Sequence, residues 1–381
     1  MKKHSFYLWA ACCALALAAC QKNAPENAVP DGEGVVFLQV TAPDAPEACV
    51  TKVAGGSTQD NNESKVNTLQ VFIFRNNGAT PAGNPIEADK YVSGTSSTTL
   101  NSLTGDKKIW AVVNAPRLYH VATEDALMKQ VSLLKENTST NLVMTGSQET
   151  TVLQYNNSSP TVGAITPVSI SVNRLCARVG VHTVAADFTG TSLEGASLSI
   201  KEVYLINVVN SVRLDGTPRS VTELNTGSLW YNLTQLGNTA DEALVNNTSK
   251  ILKEGDLSLS VNTASASTGT DVNKYFYVYP NVSTVKSDDP SASARLTRLI
   301  LHTYISGSTI EGHDSYYSLN IPVFGSGKTI ERNHIYDISK ITITNEGSPN
   351  PPPFPDMEFG KASASVTVGT WGGTETISYD L

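Results

Sequence analysis

The sequence predicts an all-β protein made of two tandem β-sandwich domains with mostly antiparallel sheets. Short runs of alternating or β-branched apolar residues recur along the chain, Asn, Gly, Ser and Pro punctuate them, and only one segment has a helical period. A chain of 381 residues, 40% hydrophobic, is long enough for two domains of ordinary size, each with its own core.

The strand runs in order are "VVFLQVT" at 35–41, "LQVFIF" at 69–74, "KIWAVVN" at 108–114, "VSISVNRLCARVGVHTV" at 168–184 and "ASLSIKEVYLINVVNSV" at 196–212. They continue with "KYFYVYP" at 274–280, "RLILHTYI" at 298–305, "YYSLNIPVF" at 316–324 and "IYDISKITI" at 335–343. The single helical pattern is "TEDALMKQVSLLKEN" at 123–137, where Thr123 can cap, Glu124 and Asp125 suit the first turn, and Leu127, Val131 and Leu134 share a face. It is expected to pack on the first sandwich. A Thr/Ser/Asn-rich stretch, "NNSSPTVGAITP" at 156–167, places the domain division near 170, giving an N-terminal domain at 35–170 and a C-terminal domain at 171–381. The proline-rich "GSPNPPPFPDMEFG" at 347–360 cannot be regular structure and leads to a final pair of strands.

The first twenty residues, "MKKHSFYLWAACCALALAAC", have a positive start, an apolar run too short to span a bilayer, and small residues before a cysteine. This is an export signal over 1–19, and its "LAAC" end resembles the lipobox of bacterial lipoproteins, which marks Cys20 for acylation. The polar segment 20–34, with Pro25 and Pro30, reads as a tether between lipid and folded body. Of five cysteines, only Cys49 and Cys176 then remain. They could form a disulfide, or Cys176 could be a lone buried thiol if the segment carrying Cys49 is removed. Neither case gives a disulfide framework, so stability has to come from packing.

The formal net charge is -8 and no Lys/Arg block occurs, which argues against a nucleic-acid partner. "GSGKT" at 325–329 has part of a phosphate-loop pattern, but "IERNHIYDI" follows it where a helix is needed, so it reads as a hairpin turn. The histidines at 4, 120, 182, 302, 313 and 334 lack metal-type spacing, and no nucleophile signature is present. Sequons such as that at Asn232 reflect composition. Neither an enzyme, a metal nor a cofactor is expected.

The two ends are the distinctive parts. In "VVFLQVT" Val36, Leu38 and Val40 share a face, and the following stretch to Gly56 contains Pro43, Pro46, Gly55 and Gly56 with Lys52 as its only basic residue. At the other end, "TWGGTETISYDL" has Trp371, a Gly372-Gly373 step, and then Ile377, Tyr379 and Leu381 alternating with polar residues. In the bland reading both strands complete their own sheets. In the alternative, a cut after Lys52, before Val53, lets the first strand leave, and the last strand of another subunit fills the groove by β-augmentation. Such an exchange does not close on itself and propagates as a filament.

"NESKVNTLQVFIF" (62–74), "VNRLCARVGV" (172–181), "IERNHIYDISKITITNEGSPNP" (330–351) and "VTVGTW" (366–371) resemble the FimA-like major fimbrillins, the type V pilin family of anaerobic Gram-negative bacteria. The resemblance implies two transthyretin-like sandwiches, made as a lipoprotein and carried to the outer membrane. It implies a trypsin-like maturation protease cutting after Lys52, removal of 20–52 as a propeptide with its strand "VVFLQVT", and a donor strand bearing Ile377, Tyr379 and Leu381. Family members that are better studied have Arg at the cut. Lys65 is a less suitable site, being expected at the start of a strand. The expected role is a subunit polymerising with other fimbrillins into a surface shaft that supports adhesion; a minor or tip adhesin and a monomeric glycan-binding lipoprotein are the alternatives.

Overall fold

A computed structural model describes residues 32–43, 62–78, 80–153, 165–224, 229–232, 252–255, 257–282, 296–321, 329–351, 362–370 and 375–379. The N-terminal strands are β1 (Glu33–Thr41), β2 (Thr68–Arg75), β3 (Ile86–Ser93), β4 (Ser97–Leu103), β5 (Gly105–Val113), β6 (Val131–Leu133), β7 (Met144–Val152), β8 (Thr166–Ser171) and β9 (Asn173–Arg174). β10 (Ala177–Ala186), β11 (Ser197–Ile206), β12 (Val208–Val209), β13 (Ser211–Arg213), β14 (Trp230–Tyr231), β15 (Lys253–Glu254) and β16 (Leu259–Val261) follow. The chain then forms β17 (Thr270–Val278), β18 (Thr297–Ser306), β19 (His313–Ile321), β20 (His334–Ile343), β21 (Ala362–Thr370) and β22 (Glu375–Tyr379). The all-β prediction holds.

In the first sandwich a three-stranded sheet, β4-β1-β8, faces a five-stranded one, β3-β2-β5-β7-β9. Because side chains alternate along a strand, Val36, Leu38 and Val40 of β1 all reach the core between the sheets, where they meet Leu69, Val71 and Ile73 of β2 and Ile109, Ala111 and Val113 of β5. β2 is apolar on both faces for a reason. Its other side chains, Phe72 and Phe74, join Trp110, Leu127, Leu134 and Leu142 in a second core that runs on into the C-terminal half.

That half pairs the sheet β17-β10-β20-β21-β22 with β15-β11-β18-β19, β16 lying off this path on β11. Val179, Val181 and Ile338 pack with Leu198, Leu299 and Leu319 between them. The chain passes from one sandwich to the other at Leu175-Cys176, a bend between β9 and β10. Cys176 is a free, fully buried thiol, and burial pushes its pKa up to about 12, which makes it inert. Cys49 lies outside the described residues.

Only two ladders among the described strands are parallel, β1 with β8 and β10 with β20. Each of these leading strands has an antiparallel neighbour on its other side, β4 for β1 and β17 for β10. The two sandwiches thus seat their first strand in the same way.

The helix expected over 123–137 is a correction. Helix α1 covers only Glu124–Met128, with the Thr123 hydroxyl accepting from the Ala126 amide at 3.2 Å as its cap. Beyond it Val131–Leu133 becomes β6, because its backbone pairs with β13 from the other half of the chain. Leu127 and Leu134 are buried as the pattern required, but Val131 is exposed. A tertiary ladder overrides a helical period here.

Candidate functional site: the slot of the first strand

β1 is not an edge. It runs antiparallel to β4, with Val36 opposite Leu100 and Leu38 opposite Thr98, and parallel to β8, with Leu38 opposite Val168 and Val40 opposite Ile170. Val36 and Leu38 are 0% exposed and Val40 4%, whereas Phe37 on the opposite face is 39% exposed. The inward set therefore comprises three aliphatic side chains, worth roughly 5 to 9 kcal/mol of burial at about 1.5 to 3 kcal/mol each. Gly34 completes the inner face. A Cβ there would meet the Val152 side chain and the Leu153 carbonyl, so only glycine lets β1 lie this close to the end of β7.

The wall made by β4 is fixed from below. Glu87 of β3 accepts from Ser102 Oγ at 2.6 Å, the Leu103 amide at 2.5 Å and Lys107 Nζ at 2.8 Å, so one carboxylate ties β4 to β3 and β5. Burial alone would raise the Glu87 pKa, but these hydrogen bonds, that from Lys107 first, outweigh it and hold it below the ordinary carboxylate value. At the entrance, the Thr104 amide and hydroxyl bracket Gly32, donating to its carbonyl at 2.8 Å and accepting from its amide at 3.0 Å. The slot is braced by hydrogen bonds on its β4 side.

At the exit end sits a buried charge cluster. Arg174, at the end of β9, is 0% exposed and sends Nη2 to the Pro43 carbonyl at 3.0 Å, to Ser64 Oγ at 3.0 Å and to the Glu63 carbonyl at 3.2 Å. Ser64 Oγ in turn donates to the Pro43 carbonyl at 2.9 Å. Glu63 aims its carboxylate the other way, accepting from Arg178 Nη1 of β10 at 2.9 Å and from the Tyr277 hydroxyl of β17 at 2.6 Å. Asp337 of β20 stands 4.0 Å from Arg178 Nη2 and 3.4 Å from His182 Nε2. Burial lowers the Arg174 pKa to about 10 against the pull of Glu63, so it remains a cation at neutral pH.

Apart from Pro43 and His182, these residues come from the stretches "NESKV", "VNRLCARVGV", "KYFYVYP" and "ERNHIYDI". Their assembly was not foreseen from the sequence. Charged residues inside apolar strand runs, Arg174, Arg178 and Asp337, were the available signal. Local devices hold the cluster in place. Gly180 of β10 leaves room for the Asp337 carboxylate, which a Cβ there would strike. Asn333, at φ 58°, turns the chain before β20 while its amide donates to the Cys176 carbonyl at 2.9 Å.

Of the residues singled out in the sequence, Val36, Leu38 and Val40 line the slot together. Cys20, Lys52, Val53, Trp371 and Leu381 lie outside the described residues, as does most of "GSGKT". Ile377 and Tyr379 fall on β22, which pairs antiparallel with β21, Ile377 opposite Val366 and Tyr379 opposite Ala364. Among the described residues β22 has one neighbour, β21, and β1 has two. Lys65 stands in the turn before β2 rather than on a strand, its carbonyl held by Asn114 Nδ2 at 2.7 Å.

The family model of the major fimbrial subunit protein FimA matches residues 38–174, from the middle of β1 to the clamping arginine. Over that part of the chain, the resemblance read from the sequence is a family match. Among solved structures, a cell adhesion protein from Parabacteroides distasonis ATCC 8503 superposes with a TM-score of 0.56 at 19% identity, covering 90% of this chain and 98% of its own. One from Bacteroides eggerthii DSM 20697 gives 0.53 at 17% identity, covering 91% and 98%. The fimbrilin FimA of Porphyromonas gingivalis W83 gives 0.51 at 14% identity, covering 88% and 97%. At these identities the likeness is one of fold. Comparison with curated proteins gives no match.

Proposed function

We propose that this chain is a fimbrial structural subunit that assembles by exchanging its first strand for the last strand of a neighbour. The observation that carries the reading is that β1 is the middle strand of its sheet and is joined to β2 through the segment 44–61, which contains Lys52. Loss of an edge strand would leave a sheet intact, whereas loss of β1 leaves β4 and β8 separated by one strand's width, with an apolar floor below. An extended peptide with alternating apolar residues is the natural filling. Ile377, Tyr379 and Leu381 have that alternation.

In this reading the precursor is exported as a lipoprotein acylated at Cys20 and held at the outer membrane. A trypsin-like protease cuts between Lys52 and Val53. Once the cut strand has left, the groove accepts a donor strand, and repetition builds a surface fimbrium supporting adhesion. Until the cut, β1 is a placeholder that covers the core. The match to a fimbrial subunit family and the fold shared with cell adhesion proteins support this function.

The test is to treat purified precursor with a trypsin-like protease and follow multimers by gel and electron microscopy. A ladder that disappears when 372–381 is deleted is expected. Absence of multimers from the cut wild-type protein contradicts the reading. Multimers that persist after the deletion favour a tip subunit, which needs a groove but no donor strand.

A further inference from the structure

We propose that Arg174 and Ser64 form a receptor for a main-chain carbonyl at the exit of the β1 slot, so that cutting the segment 44–61 and releasing the strand are separate steps. The first half of this rests on geometry alone, and only its extension to an incoming strand rests on the exchange reading above.

The Pro43 carbonyl is gripped by two donors, Arg174 Nη2 at 3.0 Å and Ser64 Oγ at 2.9 Å. Both grip from beyond the segment 44–61: Ser64 follows it in the chain, and Arg174 closes the N-terminal sandwich. Arg174 also donates Nε and Nη2 to the Glu63 carbonyl at 3.3 and 3.2 Å. Pro43 and Glu63, which flank the segment 44–61, are therefore pinned to one guanidinium at its neck. A cut within the segment, including one after Lys52, severs the covalent link and leaves the neck closed. The fragment that ends there keeps the β4 and β8 ladders, its three inward side chains and this clamp.

The clamp reads backbone and not side chain. A carbonyl is offered by any extended strand, so the receptor accepts a replacement of different sequence provided that a carbonyl arrives at the same depth. That makes Arg174 a positioning residue, one that sets how far a strand runs into the slot. Charge-assisted hydrogen bonds are the stronger kind, and a guanidinium can serve several acceptors in a fixed fork where an ammonium cannot. Arg174 is well placed to be held still for this: Glu63, whose carbonyl it grips, is locked by Arg178 and Tyr277.

The experiment uses the full precursor, cut in solution with a trypsin-like protease under limiting conditions that nick at Lys52. Native mass spectrometry and size-exclusion chromatography then follow how long the fragment ending at Lys52 stays with the body. The wild-type fragment is expected to remain bound after the cut. Release should be faster by about tenfold in Arg174→Lys, which keeps the charge but loses the fork, and by a smaller factor in Ser64→Ala. Ser64→Ala removes the hydrogen bonds to Pro43 and from Arg174 but leaves the Glu63, Arg178 and Tyr277 contacts in place, so its uncut melting temperature should fall less than that of Arg174→Lys while release still quickens, which separates a clamp from a general structural role. Immediate departure of the wild-type fragment overturns the proposal, as does release at the same rate in all three proteins. The assay reads release without requiring multimers, so its outcome is independent of whether filaments form.

Discussion

β1 and β10 occupy the same place in their two sandwiches, each between an antiparallel and a parallel neighbour, yet they are fastened differently. β10 is buried on both faces over its first half and carries Arg178, which binds Glu63 and faces Asp337. β1 is buried on one face only, by aliphatic side chains, and its charged residue, Glu33, is exposed. β10 is entered from the short bend at Leu175-Cys176, whereas β1 is followed by the segment 44–61. Withdrawing a strand that carries one half of a buried ion pair leaves the other charge uncompensated, at a cost of about 3 to 5 kcal/mol. Apolar contacts and ladder bonds can be re-formed by any strand of the right alternation. The equivalent position is thus held once through a buried ion pair and once through contacts that do not depend on a charged side chain of the strand.

The largest expected effect comes from breaking the buried ion pair. Glu63→Ala removes the acceptor of Arg178 and Tyr277 and should cost about 3 to 5 kcal/mol in urea unfolding of the precursor. A loss near zero would mean that β10 is no more firmly held than β1. Next, Leu38→Ala should destabilise the precursor by about 3 kcal/mol through lost burial and a cavity. That cost should vanish in the assembled form, where the mutated strand is gone; a persistent cost would show that β1 stays.

Smaller effects separate the two halves by pH. Glu87 braces the slot wall with a lowered pKa, so its contribution is present above the unfolded value of about 4.3 and is lost as pH falls through the folded one. Hydrogen exchange in β4 should rise on acidification, and Glu87→Gln should abolish that response. His302 in the second sandwich behaves oppositely. Burial would lower its pKa, but Glu202 at 3.1 Å and Asp314 at 3.0 Å overcome this and raise it. Its contribution is full below about pH 6.5 and is lost as pH rises through the folded value, a change of about 1 kcal/mol or less because solvent screens the two carboxylates, Asp314 above all. His302→Gln should flatten the melting temperature of the precursor across that window without touching β4 exchange.

Much of this was legible in the sequence. "KIWAVVN", "LQVFIF" and "RLILHTYI" fall on β5, β2 and β18, because a run long enough and apolar enough has few other ways to be buried. The inward face of β1 was equally plain from its alternation. The helix end was not, because the β6–β13 ladder joins residues far apart in the chain. Nor was the seat of β1 in mid-sheet, since local pattern carries no information about which strands lie to either side. The charge cluster stayed hidden for a related reason: Arg174 and Asp337 stand out as charges inside apolar strand runs, but nothing local pairs them with each other or with Glu63 until the fold brings them together.

The central claim is that β1 is displaced and replaced on assembly. Mass spectrometry of subunits recovered from assembled fibres tests it directly. The account predicts chains that begin at Val53, with no peptide from residues 33–41 in the fibre; fibres whose subunits still hold that peptide in stoichiometric amount would contradict it.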